Sequence, residues 1–269
     1  MDSAREKLAY IYSGRGVDRL ERLLEVLRGP GGCPWDREQT HRTLLRHLLE
    51  EAYEFIEAVE KDAEPALVEE LGDLLLQVVF HAQLLKERSR WSLMEIAERV
   101  VDKLILRHPH VFGDARAESA EDVLKQWEER KSHKRKGITE GIPPDLPSLL
   151  FAQKVSERAA YSGLEFKGVG EVLEKVKEEL DEFSRTLSEP LDPKDRKERL
   201  EEEVGDLIFA VVNLARMAGV DAELATRRAI RKFSERFDRM EKPSGARTDS
   251  PELMALWDSA WEKAKRLPG

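Results

Sequence analysis

The sequence predicts an all-α fold made of two tandem homologous helical domains, and three observations carry the architecture. Apolar residues recur at helical spacing, with no alternating segment of strand type. A carboxylate pattern, E-x-x-E followed after a gap by E-x-x-D, occurs once in each half. A break containing Pro143, Pro144 and Pro147 lies between the copies. The expected boundaries are 1–136 for the first domain, 137–147 for the linker and 148–269 for the second. In a chain of 269 residues each half is long enough to bury a core.

In the first half, Leu20, Leu23, Leu24 and Leu27 follow helical spacing, and Gly29-Pro30-Gly31-Gly32 ends that helix. After a turn at Cys33-Pro34-Trp35-Asp36, a helix is expected from about Gln39 to Glu60, carrying E-x-x-E. Pro65 breaks the pattern, and a second helix from about Ala66 to Arg88 carries E-x-x-D. Its run Leu71, Leu74, Leu75, Val78 and Val79 is apolar over a broad arc, as in a helix buried among others. Further helices are expected from about Leu93 to Leu106 and from about Ala120 to Lys134.

The second half repeats the order: E-x-x-E on a helix from about Val169 to Leu187, then E-x-x-D on one from about Lys194 to Ala218. Helices from about Ala222 to Met240 and from about Pro251 to Arg266 follow, separated by a loop around Pro243. Gly72 and Gly205 stand at the same point of the two copies, next to the acid. Glycine costs about 1 kcal/mol inside a helix, so its repetition predicts close approach of a helix or ligand.

Composition narrows the function. With a net charge of -9 the chain is a poor general ligand for nucleic acid, whose affinity comes largely from phosphate neutralisation. No stretch is apolar for the roughly 18 residues of a membrane span. Cys33 is the sole cysteine, which excludes an intrachain disulfide and fits a reducing cytoplasm. The segment Met1 to Tyr10 carries four charges and lacks the apolar run of a signal peptide.

The acids carry the chemistry. Glu50, Glu51 and Glu54 precede Glu69, Glu70 and Asp73; Glu178, Glu179 and Glu182 precede Glu202, Glu203 and Asp206. Residues three apart share a helix face, so two such helices together can aim four carboxylates at one small volume. Their repulsion is tolerable with cations among them, and an all-oxygen donor set selects a hard ion, Mg²⁺ foremost, with Mn²⁺ as a substitute. The competing reading, a solvated acidic face, requires no such repeated order.

Lys103 and Arg107 correspond to Lys232 and Arg236, each pair spaced i to i+4 after E-x-x-D. Basic groups beside a carboxylate-metal cluster suit a polyphosphate, whose oxygens are shared between metal and cations. Surface salt bridging is the alternative. Asn213, the only asparagine, lies two turns after Asp206, where its amide can read a base or sugar edge or cap a buried network. The first copy has Phe80 at that place, so the two pockets are expected to differ. Trp261 is a core or stacking residue.

Cys33-Pro34-Trp35-Asp36-Arg37-Glu38-Gln39-Thr40-His41, Leu48-Leu49-Glu50-Glu51-Ala52-Tyr53-Glu54 and Glu69-Glu70-Leu71-Gly72-Asp73 closely resemble the MazG family of nucleoside triphosphate pyrophosphohydrolases. Glu202-Glu203-Val204-Gly205-Asp206, Val212-Asn213-Leu214-Ala215-Arg216 and Lys232-Phe233-Ser234-Glu235-Arg236 continue the likeness over nearly the whole chain.

The resemblance implies that both domains are of the all-α NTP pyrophosphohydrolase type, with Mg²⁺ dependence, a homodimer, and cleavage of an NTP to NMP and pyrophosphate. It also implies a catalytic second repeat: Glu178, Glu179, Glu182, Glu202, Glu203 and Asp206 as the metal cluster, with Lys232, Arg236 and Trp261 on the substrate. The family's first repeat often has paired arginines before His-Pro-His, where this chain has Leu106-Arg107. A nucleotide-binding regulator or scaffold without turnover is the rival reading, and an active second repeat beside a binding-only first one combines the two.

Overall fold

The structure, a computed structural model, describes residues 3–89, 91–119, 122–124, 126, 136–190, 192–241 and 251–266. Those residues contain helices and no strand. The chain divides into two compact units, Met1–Ala117 and Glu118–Gly269, a division that falls ahead of the proline-rich segment at 137–147. The helix expected over Ala120 to Lys134 lies mostly outside the described residues, as does the loop around Pro243.

The first unit comprises α1 (Ala4–Ser13), α2 (Val17–Arg28), α3 (Pro34–Glu38), α4 (Leu45–Glu60), α5 (Glu64–Arg88), α6 (Leu93–Arg107) and the single turn α7 (Pro109–Phe112). Helix α1 has no counterpart in the expected order. It is started by a capping box in which Ser3 and Glu6 satisfy each other's backbone N–H. Pro65 sits in the first turn of α5, where its missing N–H costs nothing, so it opens the helix. The α4 helix starts at Leu45, six residues later than the apolar pattern indicates. Before it, the Thr40 and Thr43 hydroxyls accept from each other's backbone N–H at 2.9 and 3.2 Å and hold residues 40–44 in turns.

Helices α4 and α5 pack as a pair carrying the acids, with α2 against α5. Their core is Leu24, Leu44, Val79, Phe80 and Leu84, flanked by Leu20, Leu27, Leu76 and Leu93. Beneath it, Arg28 places its guanidinium 5.4 Å from the centre of the Phe80 ring and binds Glu87 through two bonds of 2.8 and 2.7 Å. Those bonds hold the Glu87 carboxyl below its ordinary pKa.

The second unit comprises α8 (Ser148–Tyr161), α9 (Val169–Ser188), α10 (Pro193–Met217), α11 (Ala222–Arg239) and α12 (Pro251–Arg266). Here α9 and α10 form the acid-bearing pair, α8 packs on α10 and α11, and α12 packs on α11. Asp192 and Asp221 cap α10 and α11 through backbone N–H bonds of 2.9 and 2.8 Å.

Two expectations fail within the single chain. Of the apolar arc on α5, Val79 is buried but Leu71 and Val78 are each 50% exposed, and Ile208 and Phe209 on α10 are likewise exposed, at 46% and 43%. Among the described residues nothing shields these side chains fully. A Cβ at Gly72 or Gly205 would meet nothing within 4 Å, so among the described residues no other helix makes close approach there.

Candidate active site

Each helix pair brings three of the predicted acids together. In the first unit Glu51, Glu70 and Asp73 offer oxygens that all lie within 4.8 Å of one another, and in the second Glu179, Glu182 and Glu203 do the same. By repeat position these are three of the same four places: Glu51 matches Glu179, Glu54 matches Glu182, Glu70 matches Glu203 and Asp73 matches Asp206. Helical spacing explains the convergence, since each pair is three residues apart and the paired helices turn those faces together.

Glu54 stands outside the first trio but close enough that its charge acts on both Glu51 and Glu70. Burial first, and then the neighbouring carboxylates, push the Glu51 and Glu70 carboxyls above their ordinary range. Glu50, Glu69, Glu178 and Glu202 lie outside both trios. Glu50 instead accepts from Arg46 at 2.7 Å, with His47 at 3.1 Å, and its carboxyl is held low, chiefly by Arg46.

In the second unit Lys175 reaches Glu179 at 2.8 Å and Glu178 at 3.1 Å, and those partners raise its pKa. Glu179 is the most enclosed acid of the trio, at 6% exposure. An ammonium ion therefore supplies the counter-charge that the cluster demands. The trio offers carboxylate oxygen alone, the donor chemistry of a hard divalent cation, so these residues fit such an ion.

Beside the trio opens a cleft of about 440 Å³ whose walls include Lys175, Glu179, Asp206, Phe209, Ala210 and Asn213. Asp206 faces it while standing outside the trio. Its far wall is a polar network that no sequence spacing reveals. Asn213 Oδ1 accepts from Ser156 Oγ at 2.6 Å and from Arg216 Nη2 at 2.8 Å and Nε at 3.0 Å. Arg216 also donates to Ser156 Oγ at 2.7 Å and grips Glu165 with two bonds of 2.7 and 2.8 Å. That grip holds the Glu165 carboxyl below its usual range. With Oδ1 so engaged, the Asn213 amino group is the end left over from this network, a donor at the cleft wall.

The remaining predicted residues lie elsewhere. Lys232 and Arg236 are on α11, and neither lines the cleft. Trp261 on α12 packs against Phe233 with ring centres 5.0 Å apart, in a cluster where Trp257 stacks on Phe237. Lys103 and Arg107 occupy the last turns of α6.

A tandem helical protein with two carboxylate trios, one opening onto a cleft that joins apolar walls to a polar network, has the equipment of a metal-dependent enzyme acting on phosphoric anhydrides. Residues 39–112 and 168–240 each match the MazG nucleotide pyrophosphohydrolase domain, and the chain belongs to that family. It is 44% identical over 255 residues to the nucleoside triphosphate pyrophosphohydrolase/pyrophosphatase MazG of Thermotoga maritima, covering 92% of this chain and 95% of the relative. The nucleoside triphosphate pyrophosphohydrolase of Escherichia coli K12 is 40% identical over 259 residues, covering 93% and 97%. The Mycobacterium tuberculosis nucleoside triphosphate pyrophosphohydrolase matches 53% of this chain at 41% identity.

Proposed function

We propose that the chain hydrolyses nucleoside triphosphates to nucleoside monophosphate and pyrophosphate in a Mg²⁺-dependent reaction, with Mn²⁺ able to substitute. The observation that carries this reading is the Glu179, Glu182 and Glu203 trio beside a nucleoside-sized cleft. Family membership supports the reaction class. The range of bases and sugars is broad, because the polar network on the cleft wall is bonded largely within itself and leaves the Asn213 amino group as its donor toward a base or sugar, and the role that suits it is clearing aberrant nucleotides from the pool.

In this mechanism Glu179, Glu182 and Glu203, with Asp206 at the cleft edge, would hold the cation. Mg²⁺ there would supply Lewis acidity and lower the pKa of a water. Lys175 relinquishes Glu179 and turns its ammonium to a phosphate oxygen. Asn213 orients the base or sugar from the opposite wall. Lys232 and Arg236 hold the leaving pyrophosphate, with Trp261 against the substrate; these roles rest on the motif match, in which Lys103 and Arg107 are the first repeat's counterparts of Lys232 and Arg236. One carboxylate of the cluster would take the proton of the water that attacks the α-phosphorus, and pyrophosphate leaves.

The exposed apolar faces of α4 with α5 and α9 with α10, including Leu49, Val68, Leu71, Leu180 and Ile208, support a homodimer that covers them. The unpaired Cys33 suits the cytoplasm. Alanine at Glu179 or Asp206 is expected to abolish release of pyrophosphate from an NTP, and retention of activity in both variants would overturn the assignment. A first repeat without turnover is favoured by Phe80 at the place of Asn213. Unchanged turnover with alanine at Glu51 and Glu54 tests it.

A further inference from the structure

The two copies of the E-x-x-D helix align residue for residue without a gap, so every position of α10 that walls the cleft has a counterpart on α5. Phe209, Ala210 and Asn213 correspond to Leu76, Gln77 and Phe80. At Ala210 the second repeat has a single methyl group; at Gln77 the first has a side chain four heavy atoms longer, and it is 8% exposed. At Asn213 the second repeat has a hydrogen-bonded amide on the cleft; at Phe80 the first has a phenyl ring, 5% exposed.

The neighbours differ in the same sense. Asn213 meets Ser156 of α8 through a 2.6 Å hydrogen bond. The first unit's α2, which packs on α5 as α8 packs on α10, meets Phe80 with Leu24 in one apolar core. Behind the ring stands the Arg28 guanidinium, itself fixed on Glu87. The place that is cleft and polar wall in one repeat is packed side chain in the other. The acids do not share this divergence, since Glu51, Glu70 and Asp73 converge as closely as the second trio.

We propose that Gln77 and Phe80 are specificity-determining residues that close the first repeat to the nucleoside of a triphosphate, so that of the two acid clusters only the second receives a nucleotide. The proposal rests on the nucleotide reading of the second cleft and adds the side chains responsible for the difference. Gln77 fills the floor that Ala210 leaves open, and Phe80 both fills the wall and removes the polar group that would face a base or sugar.

Calorimetric binding of an α,β-methylene nucleoside triphosphate with Mn²⁺ to the full chain tests this. The expected stoichiometry is one analogue per chain for the unaltered protein, and zero for an A210Q/N213F variant that gives the second repeat the first one's residues. For Q77A/F80N, which gives the first repeat the second one's residues, two per chain are expected. Two analogues on the unaltered chain would overturn the proposal, as would undiminished binding by a folded A210Q/N213F variant or a single site on a folded Q77A/F80N variant. Because Phe80 belongs to a core, the first two measurements decide the matter even if Q77A/F80N does not fold. No binding by the unaltered chain would count instead against the nucleotide reading.

Discussion

Replacing Asn213 with aspartate isolates the cleft wall from the fold that supports it. The Oδ1 atom accepts from Ser156 Oγ at 2.6 Å and from Arg216 at 2.8 and 3.0 Å, and a carboxylate keeps all three bonds. It also gives the Arg216 guanidinium a charged partner, so N213D is expected to melt within a few degrees of the unaltered chain. What changes is the other end, where an amino donor becomes an acceptor. A net hydrogen bond is worth about 1 kcal/mol, and two acceptors forced together in an enclosed site cost about 1 kcal/mol more. A base or sugar acceptor that met Asn213 then loses about 2 kcal/mol, roughly 30-fold in kcat/KM. The added negative charge weakens every triphosphate alike, so the ratio between substrates is the informative quantity. In N213D, kcat/KM for nucleotides bearing an exocyclic amino group is expected to rise about tenfold or more relative to those bearing a carbonyl at the same place. A folded N213D with unchanged base preference and kcat/KM within twofold of the unaltered chain would refute the idea that this amide reads the substrate.

Further outcomes follow from the same geometry. His81 is half-buried with its Nε2 unpartnered and its Nδ1 2.7 Å from His41 Nδ1; burial and then the His41 charge depress its pKa. The stability this contributes is present above the unfolded value of about 6.5 and is lost as pH falls through the folded value. Denaturant titrations between pH 7.5 and 5 should show a loss approaching about 1.4 kcal/mol per pH unit, reduced in H81L, which copies Leu214 of the other repeat; an identical slope in H81L would contradict the assignment. K175M removes the cation that competes for Glu179, so calorimetry is expected to give Mg²⁺ binding tighter by about 1 kcal/mol, about fivefold, with reduced turnover. A saturating divalent ion should raise the melting temperature, by about 2.7 kcal/mol of stabilisation at a hundred times Kd, and E203Q should diminish that rise; equal shifts in both proteins would remove Glu203 from the metal site.

Much of this was readable in the chain, because helix periodicity and i to i+3 acid spacing are local properties. The acid trios form from residues the motif names, since pairing two helices is enough to bring those faces together. Helix α8 escaped because its inward position is Ser156, 5% exposed, which interrupts the apolar stripe that marks a buried helix face. The Ser156, Asn213, Arg216 and Glu165 network was illegible for a different reason. Its members come from α8, α10 and the loop after α8, and contact between residues more than fifty positions apart leaves no spacing to detect. The apolar arc on α5 misled in an instructive way: Leu71 and Val78 advertise burial, and the chain by itself leaves each half exposed.

The central claim, hydrolysis by attack of water at the α-phosphorus of an NTP, is tested most directly by running the reaction with Mg²⁺ in ¹⁸O-enriched water and weighing the products. The account predicts label in the nucleoside monophosphate and none in pyrophosphate, with no reaction in a Glu179→Ala variant. Label in pyrophosphate, or products consisting of nucleoside diphosphate and inorganic phosphate, would contradict it.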